Sequence, residues 1–357
     1  MKKKDERKIF KLLFFLIFLT LIILIFMIIY NNINIKKDNI NKQEQISSKI
    51  KIPNGFYYVG GDIETGVVIS DNKNDEFKGT EHEKINKLKG NQFVWVPVDN
   101  AVVDNIEGAK SLVKEGKNPI AIKDGDGYKS IVYTFDNSMY KYSVSLPELQ
   151  NIEPYIIKEQ FVGDKEEYIE GSTKGLYKET FNKMVESVEK NKGFYISRYE
   201  IGNLANAINQ NGKVVSKSNE SDISNQTWVD MYKVSKEMYE REDLSTEMIW
   251  GCQWDATIAW ILNTSNKIIK VEDVKENGNY NFKLKSTGSN DMYSFNNIYD
   301  LCGNVSEFSQ RSSQGSSRIA YGESFSNSKE YSLNARFGYG NTYKSSDIGL
   351  RLTMYLN

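Results

Sequence analysis

Residues Ile298 to Phe308 read IYDLCGNVSEF. The Gly303-Asn304 pair is a tight-turn signal. Asp300 stands before the turn and Glu307 after it. Around this stretch the chain is loop-rich from Asn263 onward, and Ser309 to Tyr343 is packed with Ser, Asn, Gly and Tyr. Just upstream, Cys252 to Leu262 reads as a helix, with Trp254, Ile258, Ile261 and Leu262 at i, i+4, i+7 and i+8 on one face. A second helix is expected near Val229 to Glu240. No internal repeat of fixed period is visible.

Further out, the signals are short strands. Gly193 to Gly202 (GFYISRYEIG) is a strand bounded by glycines. Gln92 to Val98 (QFVWVPV) is β-branched and aromatic and contains Pro97, which predicts an edge or terminal strand. Between them, residues 99–190 are charged and mixed. Asp124-Gly125-Asp126-Gly127 carries part of a calcium-loop spacing, but Tyr128 falls where a third ligand would stand, so it reads as a surface turn. His82 lies in a charged stretch and reads as solvated. Trp250, Trp254 and Trp260, like Trp95 and Trp228, read as core. The pattern is α+β with much irregular structure, held by buried aromatics.

At the N-terminus, Leu12 to Tyr30 (LLFFLIFLTLIILIFMIIY) has no charge and is apolar on every face. A helix of that length spans about 28 Å, close to a bilayer core. Lys2, Lys3, Lys4, Arg7, Lys8 and Lys11 precede it. The positive-inside rule therefore expects a cytoplasmic N-terminus and an extracytoplasmic remainder. A cleaved signal peptide would have a shorter apolar region and a small-x-small site, whereas Asn31, Asn32 and Ile33 follow here. The expected organisation is a basic stub (1–11), a transmembrane helix (12–30), a tether rich in Asn, Lys, Gln and Ile (31–53), the first part of an ectodomain with an insertion (54–192) and a core (193–357), placed at the cell membrane.

Charge narrows the function classes. The 357 residues hold 46 Lys plus Arg against 47 Asp plus Glu. That balance offers no electrostatic footprint for nucleic acid. One histidine cannot build a multi-imidazole metal site, and two cysteines cannot build a zinc module or a disulfide scaffold.

Seven stretches, in order, resemble the formylglycine-generating enzyme, or sulfatase-modifying factor, family. Phe93 to Pro97 resembles its opening strand, and Gly193 to Glu200 its "fyigryEv" strand. Trp228 leads a helix as there. Gly251-Cys252-Gln253-Trp254-Asp255 is similar to "teaeWe". Ile298 to Phe308 is similar to "lyDmlGNvwEw", the most specific match. Gly322-Glu323-Ser324-Phe325 stands for "rGGSw", and Asp347 to Leu352 for "sdiGFRl". Firm coverage is about Gly193 to Leu352. The resemblance implies a C-type-lectin-like fold.

It also implies chemistry, and there this chain departs. The family's copper-binding cysteine pair falls at about Asn327 and Ser332, which offer no thiolate. The related sulfoxide synthases hold iron with histidines, and one histidine does not suffice. Neither copper nor iron is expected, nor formylglycine-generating oxidase activity. The family also binds calcium through the loop matched by Asp300 to Glu307. Here Asp300 and Glu307 would supply carboxylate oxygens, and Gly303 and Val305 backbone carbonyls, toward the six to eight oxygens calcium takes. The other reading is a turn capped by Asp300 with Glu307 in solvent. Cys252 and Cys302 match small residues of neighbouring core elements. Outside a membrane they could form a disulfide closing a loop of about 50 residues, for roughly 3–4 kcal/mol, or pack as two buried thiols.

On such a scaffold the first expectation is a membrane-anchored binding protein for an extracellular protein or glycan. Ser324, Asn327, Tyr331, Ser332 and Arg336 are the expected ligand contacts, since Asn, Ser, Tyr and Arg give adaptable hydrogen bonds and flat contact area. The alternative is an enzyme of the superfamily with altered chemistry, although no base stands beside these groups in the sequence.

Overall fold

In a computed structural model of the chain, the structure describes residues 2–76, 88–134, 153–157, 178–203, 214–239, 241–264, 278–312, 317–326 and 335–357. His82, Asn327, Tyr331 and Ser332 lie outside these residues. The N-terminal helix and the folded part after it are separate compact units.

Helix α1 runs Lys2–Lys49. Its segment Leu13–Asn34, 22 residues with mean hydropathy 3.2, is long and apolar enough to cross a membrane. The stretch expected as a tether is helical up to Lys49. The reason lies in the sequence: no Gly or Pro occurs before Pro53, and Lys, Gln and Ile are tolerated in helices.

The second unit is α+β and starts from a six-stranded antiparallel sheet. Its order is β1 (Tyr57–Gly60), β2 (Val68–Ser70), β3 (Gln92–Pro97), β8 (Gly193–Ser197), β18 (Leu352–Leu356) and β11 (Leu244–Met248). Strand β3 is therefore central rather than at an edge, which corrects the expectation drawn from Pro97. Proline is tolerated because it is the last residue of the strand, opposite Gly193. Helices α3 (Lys178–Asn191) and α4 (Trp228–Glu237) pack on this sheet. Thr227 caps α4 in a capping box with Asp230, each side chain accepting from the other's backbone N–H.

Residues between β3 and α3 build a second sheet. It contains β4 (Val102–Val103), β5 (Ala121–Asp124), β6 (Gly127–Thr134) and β7 (Glu153–Ile157) in that order, with helix α2 (Ile106–Lys114) between β4 and β5. Asp124 to Gly127 forms the β5–β6 turn, with Gly125 in the left-handed region at φ 61°. Its two acids are held by lysines, Asp124 by Lys129 at 2.9 Å and Asp126 by Lys178 at 3.1 Å.

Helix α5 (Gly251–Thr264) is the centre of the unit. Every residue from Gly251 to Leu262 is buried. It threads the core, and its polar residues Gln253, Asp255 and Thr257 are buried along with its apolar ones. All five tryptophans are buried with it. A third sheet, β16 (Arg336–Gly340), β15 (Ser317–Tyr321), β14 (Ser306–Ser312) and β17 (Ile348–Leu350), completes the C-terminal part. Two short ladders, β9 (Gly202–Asn203) with β10 (Val214–Val215) and β12 (Ser294–Phe295) with β13 (Ile298–Tyr299), fill the connections.

Candidate functional site

The stretch from β13 into β14 is a sharply folded loop. Asp300, Gly303 and Asn304 all take left-handed backbone, at φ 57°, 75° and 61°. A β-carbon on Gly303 would lie 2.5 Å from the Asn279 carbonyl oxygen, so only glycine fits. Asn304 is among the residue types that tolerate this conformation, and its side chain is held by hydrogen bonds at both ends. Its Oδ1 accepts from Asn279 Nδ2 (2.9 Å) and from the Lys285 amide (3.0 Å), and its Nδ2 donates to Glu200 Oε2. Glu200 Oε1 accepts from the Val305 amide at 3.0 Å. Glu200, in the strand matched to "fyigryEv", thus holds the turn from beneath.

The two predicted acids are both buried, so Glu307 is not solvated. Its Oε1 accepts from Arg351 Nε (2.9 Å) and Nη2 (2.7 Å). Arg351 also donates to the carbonyls of Ser197 and Tyr299. Asp300 Oδ2 accepts from the Gly288 amide at 2.6 Å. Burial pushes Asp300 up to about 6 and Glu307 up to about 7, with Arg351 opposing the rise. Glu200 lies well above the usual carboxylate range, through burial first and then the charges of Asp300 and Glu307.

Glu307 Oε2 is buried without a hydrogen-bond partner. It and the Leu301 carbonyl oxygen each lie 3.2 Å from where a β-carbon on Gly322 would stand. A buried, unpartnered carboxylate oxygen is a place that favours a proton or a hard cation. Glu307 Oε2 would thus supply one ligand to such a cation, while Glu307 Oε1 is taken by Arg351 and Asp300 Oδ2 by the Gly288 amide. Among the described residues, no group of three or more His, Cys, Asp or Glu is arranged to hold a metal.

Beyond the loop, β16 is an edge strand paired only to β15 within its sheet. It reads RFGYG, with Phe337 and Tyr339 half-buried and Gly338 and Gly340 exposed. Tyr339 stacks on Tyr343 (centroids 5.0 Å apart, 12° between planes) and meets Phe308 edge-on at 6.2 Å. Tyr343 is 46% exposed. Phe337, tilted against Tyr339 at 6.5 Å, joins Tyr339 and Tyr343 in a partly open aromatic surface over the buried Phe308.

Of the expected ligand contacts, Ser324 is buried, its hydroxyl 2.8 Å from that of Ser326. Arg336 turns inward: Nη2 donates to Asp255 Oδ1 (2.8 Å) and to the Tyr133 carbonyl (2.6 Å). Asp255 is fully buried and its other oxygen accepts from the Tyr133 amide at 2.9 Å. Both residues therefore serve the interior rather than an open surface. Cys252 and Cys302 are buried free thiols, so the disulfide is not formed. They sit in different surroundings, Cys252 by Tyr133 and Cys302 by Tyr280. Burial pushes the Cys302 thiol up, as suits a small core hydrophobe.

Sequence reasoning missed Phe337, Tyr339 and Tyr343, although alternation in Arg336-Phe337-Gly338-Tyr339-Gly340 carries a period-two strand signal. It missed Glu200 and Arg351 as partners of the loop, and no local signal marks them as such.

No known protein family matches the chain, and no curated protein does. Among solved structures, it is similar to Treponema denticola variable protein 1 (13% identity, TM-score 0.31, 45% of this chain and 95% of that one). It is also similar to CarF (15% identity, TM-score 0.32, 46% of this chain and 87% of that one). Likeness at this level carries no argument about fold or function.

Proposed function

We propose that this is a membrane-anchored, extracytoplasmic binding protein on a C-type-lectin-like scaffold similar to formylglycine-generating enzyme, without that enzyme's oxidase chemistry. The observation that carries the reading is the aromatic surface of Phe337 and Tyr339 on an edge strand and Tyr343 just beyond it. Flat rings with low conformational freedom bind sugars and proteins at small entropic cost. The basic residues before Leu13 support a cytoplasmic N-terminus. Asn327 and Ser332 in place of the family's cysteines support the loss of copper chemistry. Calcium belongs to the proposal through Glu307, with Asp300 and the carbonyls of Gly303 and Val305 as its candidate companions.

The test is a glycan and cell-wall-fragment array probed with the full-length chain, with and without calcium. The expected result is a defined set of ligands whose binding falls at least about tenfold in Tyr339→Ala and Tyr343→Ala, the loss of one well-packed aromatic contact. Ligands bound equally by both variants would refute the aromatic surface as the site. Turnover of a thiol-bearing peptide with stoichiometric copper(I) would overturn the reading altogether.

A further inference from the structure

The polar groups beside the aromatic strand converge on one carboxylate. Asp347 directly precedes β17 and is half-buried. Its Oδ1 accepts from the Ser345 hydroxyl and its Oδ2 from the Ser326 hydroxyl at 2.9 Å. Ser326 is exposed, and because its own proton goes to Asp347, its oxygen accepts from Ser324 at 2.8 Å. A carboxylate has about four acceptor positions. The serines take one on each oxygen, which leaves one on each.

The same carboxylate stands by the rings. Burial first, then the Asp347 charge, push the Tyr339 hydroxyl up to about 12, so it keeps its proton at neutral pH. Tyr343 folds back behind the strand, its amide donating to the Gly340 carbonyl at 2.9 Å. One face of its ring is stacked on Tyr339, so its 46% exposure belongs to the other face and the edges. The charges here cancel. Between Arg336 and Arg351 stand only Lys344 and Asp347, one of each sign, while Arg336 is paired with Asp255 and Arg351 with Glu307.

These groups select a ligand chemistry. An acidic ligand would set like charge against Asp347. A purely apolar ligand would cover Tyr343 and leave the Asp347 acceptors without water or partner. An extended peptide offers its N–H donors singly along the chain. A pyranose has an apolar C–H face and, on its rim, neighbouring hydroxyls that donate as a pair. We infer that Tyr343 and Asp347 form a subsite for a neutral saccharide, the sugar face lying on the Tyr343 ring and two adjacent hydroxyls donating to the Asp347 carboxylate. The inference rests on the aromatic surface proposed above and names its ligand class and its polar half.

The test is calorimetric titration of the full-length chain, in a detergent without a sugar headgroup, with maltose, cellobiose and diacetylchitobiose as neutral probes and di-galacturonate as the acidic control. The expected result is saturable binding of at least one neutral probe and none of di-galacturonate. Asp347→Asn should weaken it by at least about tenfold, the loss of a charge-assisted contact, and Lys344→Ala should leave it unchanged. O-methylation of the bound sugar removes its donors and should abolish binding to the wild type, which decides the question if Asp347→Asn does not fold. Failure of every neutral probe, equal binding of di-galacturonate, or undiminished affinity in Asp347→Asn or for the methylated sugar would each overturn the assignment. Peptide ligands that are lost in Tyr339→Ala would remove the saccharide and leave the aromatic surface standing; ligands unaffected by Tyr339→Ala and Tyr343→Ala would remove the surface itself.

Discussion

Asp255 on the buried helix α5 holds Arg336 of the edge strand β16 through an ion pair of 2.8 Å, across 81 residues of sequence. Its second oxygen holds the Tyr133 amide of strand β6 at 2.9 Å. One carboxylate therefore joins the inserted sheet, the core helix and the strand that carries the aromatic surface. Burial raises the Asp255 carboxyl above its ordinary range, and Arg336 counters the rise.

Breaking that pair leaves an unmatched buried group. Arg336→Ala and Asp255→Ala should each destabilise the folded part by about 3–5 kcal/mol. Replacing both at once by Leu and Met should recover much of the loss, because no charge is then left uncompensated. Chemical denaturation of the four forms checks this; equal destabilisation in the double variant would refute it.

Gly303 and Gly340 offer a controlled contrast. Gly303 has φ 75° and a backbone oxygen 2.5 Å from its missing β-carbon, whereas Gly340 has open space. Gly303→Ala should cost about 2–3 kcal/mol through strain and displacement of the Asn279 backbone. Gly340→Ala should stay within about 0.5 kcal/mol of wild type. Thermal unfolding in parallel measures both.

Asp222 gives a pH dependence of definite sign. Burial raises it from 3.8 to about 6. Its folded value lies above its unfolded value, so the folded state binds the proton more tightly. The stability this proton contributes is present in acid and is lost as pH rises from about 4 through 6. Asp222→Asn removes the cost of the buried charge. It should stabilise the protein by up to about 3 kcal/mol at pH 7.5 and by almost nothing at pH 4. A gain of the same size at both pH values would show that the charge is not responsible.

Calcium has its own check. Titration calorimetry with the full-length chain should show heat at pH 7.5 that Glu307→Gln removes. Since Glu307 rises to about 7 without a cation, proton competition should weaken binding below that pH. Absence of heat in the wild type at pH 7.5 would eliminate the cation.

Thiol chemistry follows from burial. Under denaturing, non-reducing conditions the chain should show two free thiols per molecule, and in the native state both should react slowly because Cys252 and Cys302 are buried. A thiol count of zero after denaturation would restore the disulfide.

Some of this architecture was legible in local sequence. The helix expected near Val229 to Glu240 is observed as α4, Trp228–Glu237. The spacing of Trp254, Ile258, Ile261 and Leu262 announces a helix with one apolar face, observed as Gly251–Thr264, but that its other faces are buried too was not legible. Pro97 misled, because its position at a strand end cannot be told from sequence while the partner strand is unknown. Arg336 misled for a related reason: an arginine in a stretch of Ser, Asn, Gly and Tyr looks like surface until Asp255 is brought beside it.

The sequence by itself determined the membrane-length apolar helix, the tryptophan core, the turn at Gly303-Asn304 and the single histidine and two cysteines that limit metal and redox chemistry. These follow from residue type and short-range spacing, where backbone preference and hydrophobic periodicity act. Only the tertiary structure decided that Glu307 meets Arg351, that Glu200 cradles the turn, that the thiols stand apart, and that Ser326 meets Asp347. Those contacts join residues tens to hundreds of positions apart, and their strength comes from burial, which no local stretch of chain records.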